Sequence, residues 1–248
     1  MYQTYLSGLQ KKLDDVFSEE GQAILQASRH IMDSIINGGI VHLFGCGHSS
    51  LLTEEVFYRA GGLAPIHPIL VESLMLHEGA VRSSQFERKG DYAETFMGDM
   101  DIRPGEVVFV LSTSGKNPVP IDVALIAKSK GAFVVGLTSV RYSKGQSSRH
   151  SSGKFLFEVV DLVIDNHADK GDASQTHERY SVPFGPTSTV IGAAIINAIF
   201  AEVISGLADQ GYEPPVFLSG NIEGADAHNA ALVKKYAERI PLLTLGAF

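Results

Sequence analysis

The chain has 248 residues, 44% of them hydrophobic, with 28 acidic against 20 basic residues and a net charge of -8. That supplies enough apolar material for a sizeable core in one large domain or two small ones, and it excludes the broad basic footprint that duplex nucleic acid requires. A single cysteine, Cys46, excludes an internal disulfide framework and a multi-thiolate zinc site and fits a reducing, cytoplasmic setting.

Met1 to Phe17 lacks the apolar core and cleavage site of a signal peptide, and no run reaches the roughly 20 uninterrupted apolar residues of a membrane helix. A soluble protein without a membrane partner is expected. Leu6, Leu9, Leu13 and Val16 recur at helical spacing, as do Ile24, Ala27, Ile31 and Ile35, which predicts two amphipathic helices within residues 1–37. Asn37-Gly38-Gly39 supplies a helix stop. The period then switches. Ile40 to Phe44 reads as a buried strand running into Gly45-Cys46-Gly47, and strand-like runs follow at Ile66 to Val71, Val107 to Ser112, Phe133 to Thr138 and Leu162 to Asp165. Helix-compatible stretches separate most of them, so the alternation predicts an α/β fold with about five parallel strands covered by helices on both faces. Arg141 to Lys154 is a polar, Ser-rich insertion, read either as a solvated loop or as a lid facing an anion. Thr187 to Leu207 is a long apolar helix, expected to be buried rather than membrane-spanning, and a last helix covers Ala225 to Arg239. No repeat, low-complexity tract or linker divides the chain. Residues 1–248 are expected to form one domain, a helical segment 1–37 followed by an α/β core 38–248.

In an open parallel sheet, ligands bind beyond the carboxyl ends of the strands. Two loops there stand out. Gly45-Cys46-Gly47-His48-Ser49-Ser50 puts two glycines between a strand and a helix, where backbone N–H groups can face an anion. Ser112-Thr113-Ser114-Gly115-Lys116-Asn117 supplies three hydroxyls, a glycine, a cation and an amide just before the Pro118 helix start. Taken alone, Gly45 and Gly47 are explained by a tight turn and Ser49 by helix capping. Both loops together, at the ends of adjacent strands, suit a phosphate monoester and sugar hydroxyls.

Gly45-x-Gly47-x-Ser49, Ser112-x-Ser114-Gly115, Gly136-Leu137-Thr138-Ser139 and Gly185-Pro186-Thr187-Ser188-Thr189 resemble the sugar isomerase (SIS) family of phosphosugar isomerases and sugar-phosphate sensors, over residues 20–240. The chain is similar in particular to stand-alone SIS proteins, some called phosphoheptose isomerases, that share Ser-Gly-x-Asn-Pro-Val-Pro and Ser-Arg-His-Ser-Ser-Gly-Lys. The resemblance implies a three-layer α/β/α sandwich with a five-stranded, flavodoxin-like sheet and N-terminal helices, assembled as a homodimer or homotetramer around a small phosphorylated sugar, with no cofactor. It implies that Ser112 and Ser114 hold the phosphate, with Thr113 and Gly115 as backbone contacts, while the sugar lies toward Gly47, Ser49 and Ser50. Asn117, Thr187 and Ser188 complete the implied binding set, Asn117 standing where Thr or Ser is frequent.

Aldose–ketose isomerisation needs a base for the proton beside the carbonyl, a group that opens the ring, and a donor for the enediolate. Phosphoheptose isomerases place a His and then a Glu six and ten residues beyond the loop serine, on the following helix. Here those positions are Glu55 and Arg59, whose spacing instead predicts an ion pair worth a few tenths of a kcal/mol. His77-Glu78-Gly79 falls where amino-sugar isomerases of the family carry a Ser-Glu motif, which makes Glu78 the first choice for the base, His77 an accessory acid and Glu55 the next base in line. His228 resembles a late-helix histidine that opens the ring, sometimes across a subunit interface. Ordinary loop and exposed-helix residues are the competing readings for all of these. Cys46 is expected to pack rather than to attack, and the nine histidines show no His-Glu-x-x-His or comparable metal spacing.

The expected function is therefore a sugar-phosphate aldose–ketose isomerase, with a phosphosugar lyase or etherase, or a non-catalytic sugar-phosphate sensor, as alternatives. About forty residues precede the first strand and they are not basic, which disfavours a DNA-controlling sensor. A remote alternative is an NAD-dependent oxidoreductase using Gly45-x-Gly47-x-x-Ser50 and Glu72. Ser50 stands where that motif needs a third glycine, and the hydroxyl-rich second loop has no role in it.

Overall fold

A computed structural model describes residues 1–246. The chain begins with two helices, α1 (Tyr2–Glu19) and α2 (Gly21–Ile36), whose inner faces bury Val16 and then Ala27, Ile31 and Ile35 at the spacing the sequence predicts. Gly38, at φ +78°, turns the chain out of α2 into the first strand. The order then runs β1 (Val41–Gly45), α3 (Leu51–Glu55), β2 (Ile66–Ile69), α4 (Ala80–Glu87), α5 (Glu94–Met97), β3 (Val107–Leu111) and α6 (Pro118–Ser129). It continues with β4 (Phe133–Thr138), α7 (Val140–Lys144), β5 (Leu162–Asp165), β6 (Gln175–His177), β7 (Tyr180–Phe184), α8 (Ser188–Asp209) and α9 (Ala225–Tyr236).

Five strands form one parallel sheet in the flavodoxin-like order β2-β1-β3-β4-β5, as expected for this α/β sandwich. Side chains alternate between two apolar layers. Leu43, Phe109 and Leu137 join α2, α3 and α8 on one face, while Phe44, Val110 and Val134 join α5 and α6 on the other. Both faces are covered, which is why the strands read as continuous apolar runs. The long α8 is apolar enough to cross a membrane by length and composition, but it buries Ile191, Ile195, Ile199 and Val203 in the core. Each such side chain contributes on the order of 2 kcal/mol. The register matters for function: Gly45 pairs with Leu111, and Leu111 with Leu137, so the loops leaving β1, β3 and β4 start level with one another.

Two features depart from expectation. The helix after the first loop stops at Glu55, because Tyr58 takes φ +46° with its ring against Phe217 and the Gly61 N–H bonds the Phe217 carbonyl (2.8 Å). Residues 175–184 form an antiparallel hairpin, β6 with β7, that the sequence did not announce.

At the amino end of the sheet, His42 and His67 meet Nδ1 to Nδ1 at 2.9 Å, and His42 Nε2 lies 3.1 Å from the Glu106 carboxylate. Glu106 also accepts from the Ile40 and Arg103 N–H groups and pairs with Arg239, tying the segment after α9 to the sheet. Burial, reinforced by His42 and Arg239 and opposed by Glu106, depresses the His67 pKa from 6.5 to about 4. The folded state thus favours neutral His67. Above pH 6.5 neither state binds the proton and the stabilisation is full; between pH 6.5 and 4 the unfolded chain binds a proton that folded His67 resists. Stability to urea should fall by up to about 3 kcal/mol across that window, and His67→Gln should flatten the decline. An unchanged slope in the variant would contradict the assignment.

Candidate functional site

The level strand ends bring the two glycine loops together, and each glycine there has a steric reason. At Gly45 a Cβ would lie 2.6 Å from the Ser49 backbone, so only glycine lets the turn Gly47–Ser50 fold back over the end of β1. Gly115 has φ +56°, and a Cβ there would lie 2.8 Å from Thr138 Oγ1 and 3.0 Å from Ser143 Oγ. Those two hydroxyls support the second loop. Thr138 Oγ1 and the Ser139 N–H donate to the Thr113 carbonyl (3.3 and 3.0 Å), and Ser143 Oγ donates to the Ser114 carbonyl (2.9 Å). The Leu156 and Arg149 N–H groups take the Gly115 and Lys116 carbonyls, each at 2.8 Å.

Four successive carbonyls are thereby held by the surrounding protein. The N–H groups of Thr113, Ser114, Lys116 and Asn117 have no hydrogen-bond partner among the described residues. The hydroxyls divide in the same way. Ser50 Oγ donates to the Gly47 carbonyl (2.7 Å) and Ser139 Oγ to that of Ala168 (2.7 Å), whereas those of Ser49, Ser112 and Ser114 bond to no described residue. Asn117 is the cap residue of α6 but makes no cap bond with its side chain, and because Pro118 and Pro120 carry no N–H, Val119 supplies the single N–H among the first three residues of that helix that is left to a ligand or water.

Cations gather beside this loop. The Lys116 ammonium bonds Gln146, and burial together with repulsion from Arg149, Arg88 and Lys170 lowers its pKa. An anion bound here would relieve that repulsion. Across from it, Glu87 of α4 accepts from Asn117 Nδ2 (2.8 Å), and Asn117 Oδ1 accepts from Arg149 (2.9 Å). Burial raises the Glu87 pKa, against the pull of Asn117, Arg88 and Arg149. Burial, with the Glu87 charge adding to it, also pushes the Cys46 thiol well up, which keeps it protonated and suits the packing role expected of it.

Gly47, Ser49 and Ser50 thus lie on the loop after β1, and Ser112 to Asn117 on its neighbour after β3. The other expected residues stand apart or are already engaged. Asn117 is committed at both ends of its amide to Glu87 and Arg149. Thr187 and Ser188 open α8, but the Asp172 carboxylate already accepts both their N–H groups (2.9 and 3.0 Å) and the Ser188 hydroxyl (2.6 Å). Glu55 pairs with Arg59 at the solvent-exposed end of α3. The His77 and Glu78 side chains lie 3.7 Å apart and are 70% and 42% exposed. His228, in α9, bonds the Val216 carbonyl (2.8 Å), beside the bridge from Val216 to Leu63 that precedes β2, at the opposite end of the sheet from the loops. The Ser-rich segment read as loop or lid is pinned to the site by Arg149, by the bond of His150 to Asp122 (2.8 Å), and by the Lys116 to Gln146 contact. Glu87 is the residue the sequence reading missed. Its only trace there is the amide at position 117 where a hydroxyl is usual.

The chain is similar to known proteins both in sequence and in fold. The family model for the SIS domain matches residues 4–139, more than half the chain. A UPF0309 protein of Halalkalibacterium halodurans is 60% identical over 245 residues, 99% of this chain and 98% of that one. Another from Geobacillus kaustophilus is 61% identical over 246 residues, again 99% and 98% of the two chains. Among solved structures, the phosphoheptose isomerase of Neisseria gonorrhoeae superposes with a TM-score of 0.52 at 13% identity, over 81% of this chain and 95% of its own. The sugar isomerase domain of an RpiR transcription factor from Sphaerobacter thermophilus gives 0.50 at 13% identity, over 96% and 98%. These likenesses at low identity carry the fold alone. The sequence matches carry more, and on them the chain belongs to the SIS-domain family, alongside the UPF0309 proteins.

Proposed function

We propose that this protein binds a phosphorylated sugar between the loops after β1 and β3 and interconverts its aldose and ketose forms. The observation that carries the reading is the second loop: its carbonyls are tied to the protein while four N–H groups and the hydroxyls of Ser112 and Ser114 have no partner among the described residues, beside a lysine crowded by other cations. Such a cradle fits a phosphate dianion, because backbone N–H groups and hydroxyls supply short charge-assisted bonds without large reorganisation. Ser49, on the level neighbouring loop, supports sugar hydroxyl recognition. The dinucleotide alternative finds less support, since the first loop leads only into a 3-10 turn and the five-residue α3, too short to offer a pyrophosphate a helix dipole.

The same reading includes self-association and a cytoplasmic setting. Tyr2, Leu6, Leu13 and Phe17 form an exposed apolar stripe along α1, with Phe17 at 87% exposure, which a second copy would remove from water. The single thiol is buried.

Two measurements check the proposal. Calorimetric titration with fructose 6-phosphate and with fructose should find that Ser114→Ala weakens the phosphorylated sugar by roughly tenfold to a hundredfold, the range for a bond to a charged group, and leaves the weak binding of fructose unchanged. Equal losses for both would contradict a phosphate role. Light scattering at micromolar concentration should give a dimer or tetramer, and a monomeric mass would contradict self-association.

A further inference from the structure

We propose that Glu87, rather than the exposed Glu78, is the acid–base group of this site, taking the proton from the carbon beside the substrate carbonyl and returning it to the neighbouring carbon. The inference rests on the phosphosugar reading above and is carried by the path of α4. Ser83 Oγ fixes the start of α4 to the Leu74 carbonyl (2.7 Å) and lies 3.9 Å from where a Gly47 Cβ would sit, so this turn rests against the first loop. Glu87 is one turn further along the same face, and its Oε1 accepts from Asn117 at the end of the second loop (2.8 Å). The helix therefore spans from one glycine loop to the other and carries a carboxylate between them. Glu87 Oε2 has no hydrogen-bond partner among the described residues and is left for a substrate proton.

The groups facing this carboxylate are Cys46 from the first loop, Asn117 from the second, Arg149 from the segment pinned over it, and Arg88 beside it in the chain. Burial outweighs the two cations and the Asn117 bond and raises its pKa, which brings a carboxylate closer to the proton affinity useful in a base near neutral pH. The amide at position 117 also finds its reason here. Its Nδ2 holds Glu87 while its Oδ1 holds Arg149, a two-sided role that a hydroxyl on a shorter side chain would not fill.

In the reaction, the C–H bond breaks and an O–H bond forms on Glu87. The C–H electron pair becomes the C=C bond of an enediolate as the carbonyl π pair moves onto its oxygen. As the proton returns to the adjacent carbon, the remaining hydroxyl proton of the enediolate passes, directly or through water, to the oxyanion; the oxygen that loses it forms the new carbonyl and the other becomes the hydroxyl, giving the isomer with no net oxidation.

The test uses the whole protein with fructose 6-phosphate, glucosamine 6-phosphate and N-acetylglucosamine 6-phosphate in deuterium oxide, reading exchange at C1 and C2 by proton NMR and affinity by calorimetry. Glu87→Gln keeps the shape and the bond from Asn117; it should lower exchange at least about a hundredfold while Kd stays within about threefold. Asn117→Ser removes a donor that stabilises the charged carboxylate, so the acid limb of the exchange rate should move to higher pH; this arm decides if Glu87→Gln does not fold. Exchange persisting in Glu87→Gln, an unmoved acid limb in Asn117→Ser, loss of exchange in Glu78→Gln instead, or binding without exchange by the unmodified protein would each overturn the proposal. Absence of binding to all three sugars would overturn the phosphosugar reading itself and this inference with it, and the calorimetry tells that outcome from the others.

Discussion

The candidate site depends on one backbone constraint: four consecutive carbonyls, from Thr113 to Lys116, are all held by donors outside their own loop. A chain held in this way exposes its N–H groups, and Gly115 at φ +56° is what allows it to turn without a clash against Thr138 and Ser143. Each bond is worth only about 1 kcal/mol net, but together they fix the loop before any ligand arrives, so ordering it adds little to the cost of binding. The donors come from the end of β4, from α7, and from the Arg149 to Leu156 segment. That gives the polar Ser-rich insertion a structural purpose, since it braces the second loop from outside.

The two ends of the sheet use charge in opposite ways. At the amino end lies a cleft of about 390 Å³ lined by His30, Arg103, Glu106 and Arg239. Its guanidinium groups are already paired, Arg103 with Asp101, and Arg239 with Asp101 and Glu106. There the ionic groups hold structure together, and burial keeps His67 neutral. At the carboxyl end, Arg149, Arg88 and Lys170 crowd Lys116, and Arg149 and Arg88 also flank a half-buried Glu87 whose own pKa is raised. Unrelieved repulsion of this kind is what an anionic ligand stabilises. It arises in a chain whose overall charge is -8, so it reflects local arrangement and not composition.

The sheet was legible in the sequence because strands buried on both faces read as unbroken apolar runs, and all five lie within a residue or two of where the pattern puts them. The β6–β7 hairpin escaped because its residues are mostly exposed and carry no alternation to read. The loops were legible as glycines and hydroxyls at strand ends. Which hydroxyls are free was not, because that depends on tertiary partners: Ser112 and Ser139 look alike in the sequence, yet Ser139 is bonded to the Ala168 carbonyl. Thr187 and Ser188 looked available at a helix start, but Asp172, fifteen residues earlier, already fills it. Glu87 escaped because its partner Asn117 lies 30 residues away and nothing local marks α4 as facing the site.

If the N–H groups of the second loop receive a phosphate, backbone amide NMR of the protein titrated with fructose 6-phosphate should show saturable shifts largest at Thr113, Ser114, Lys116 and Asn117, with smaller ones at Gly47 to Ser50 and none around the amino-end cleft. Saturable shifts confined to Gly38, Gly39, Arg103 and Arg239, with the second loop unmoved, would contradict phosphate binding there.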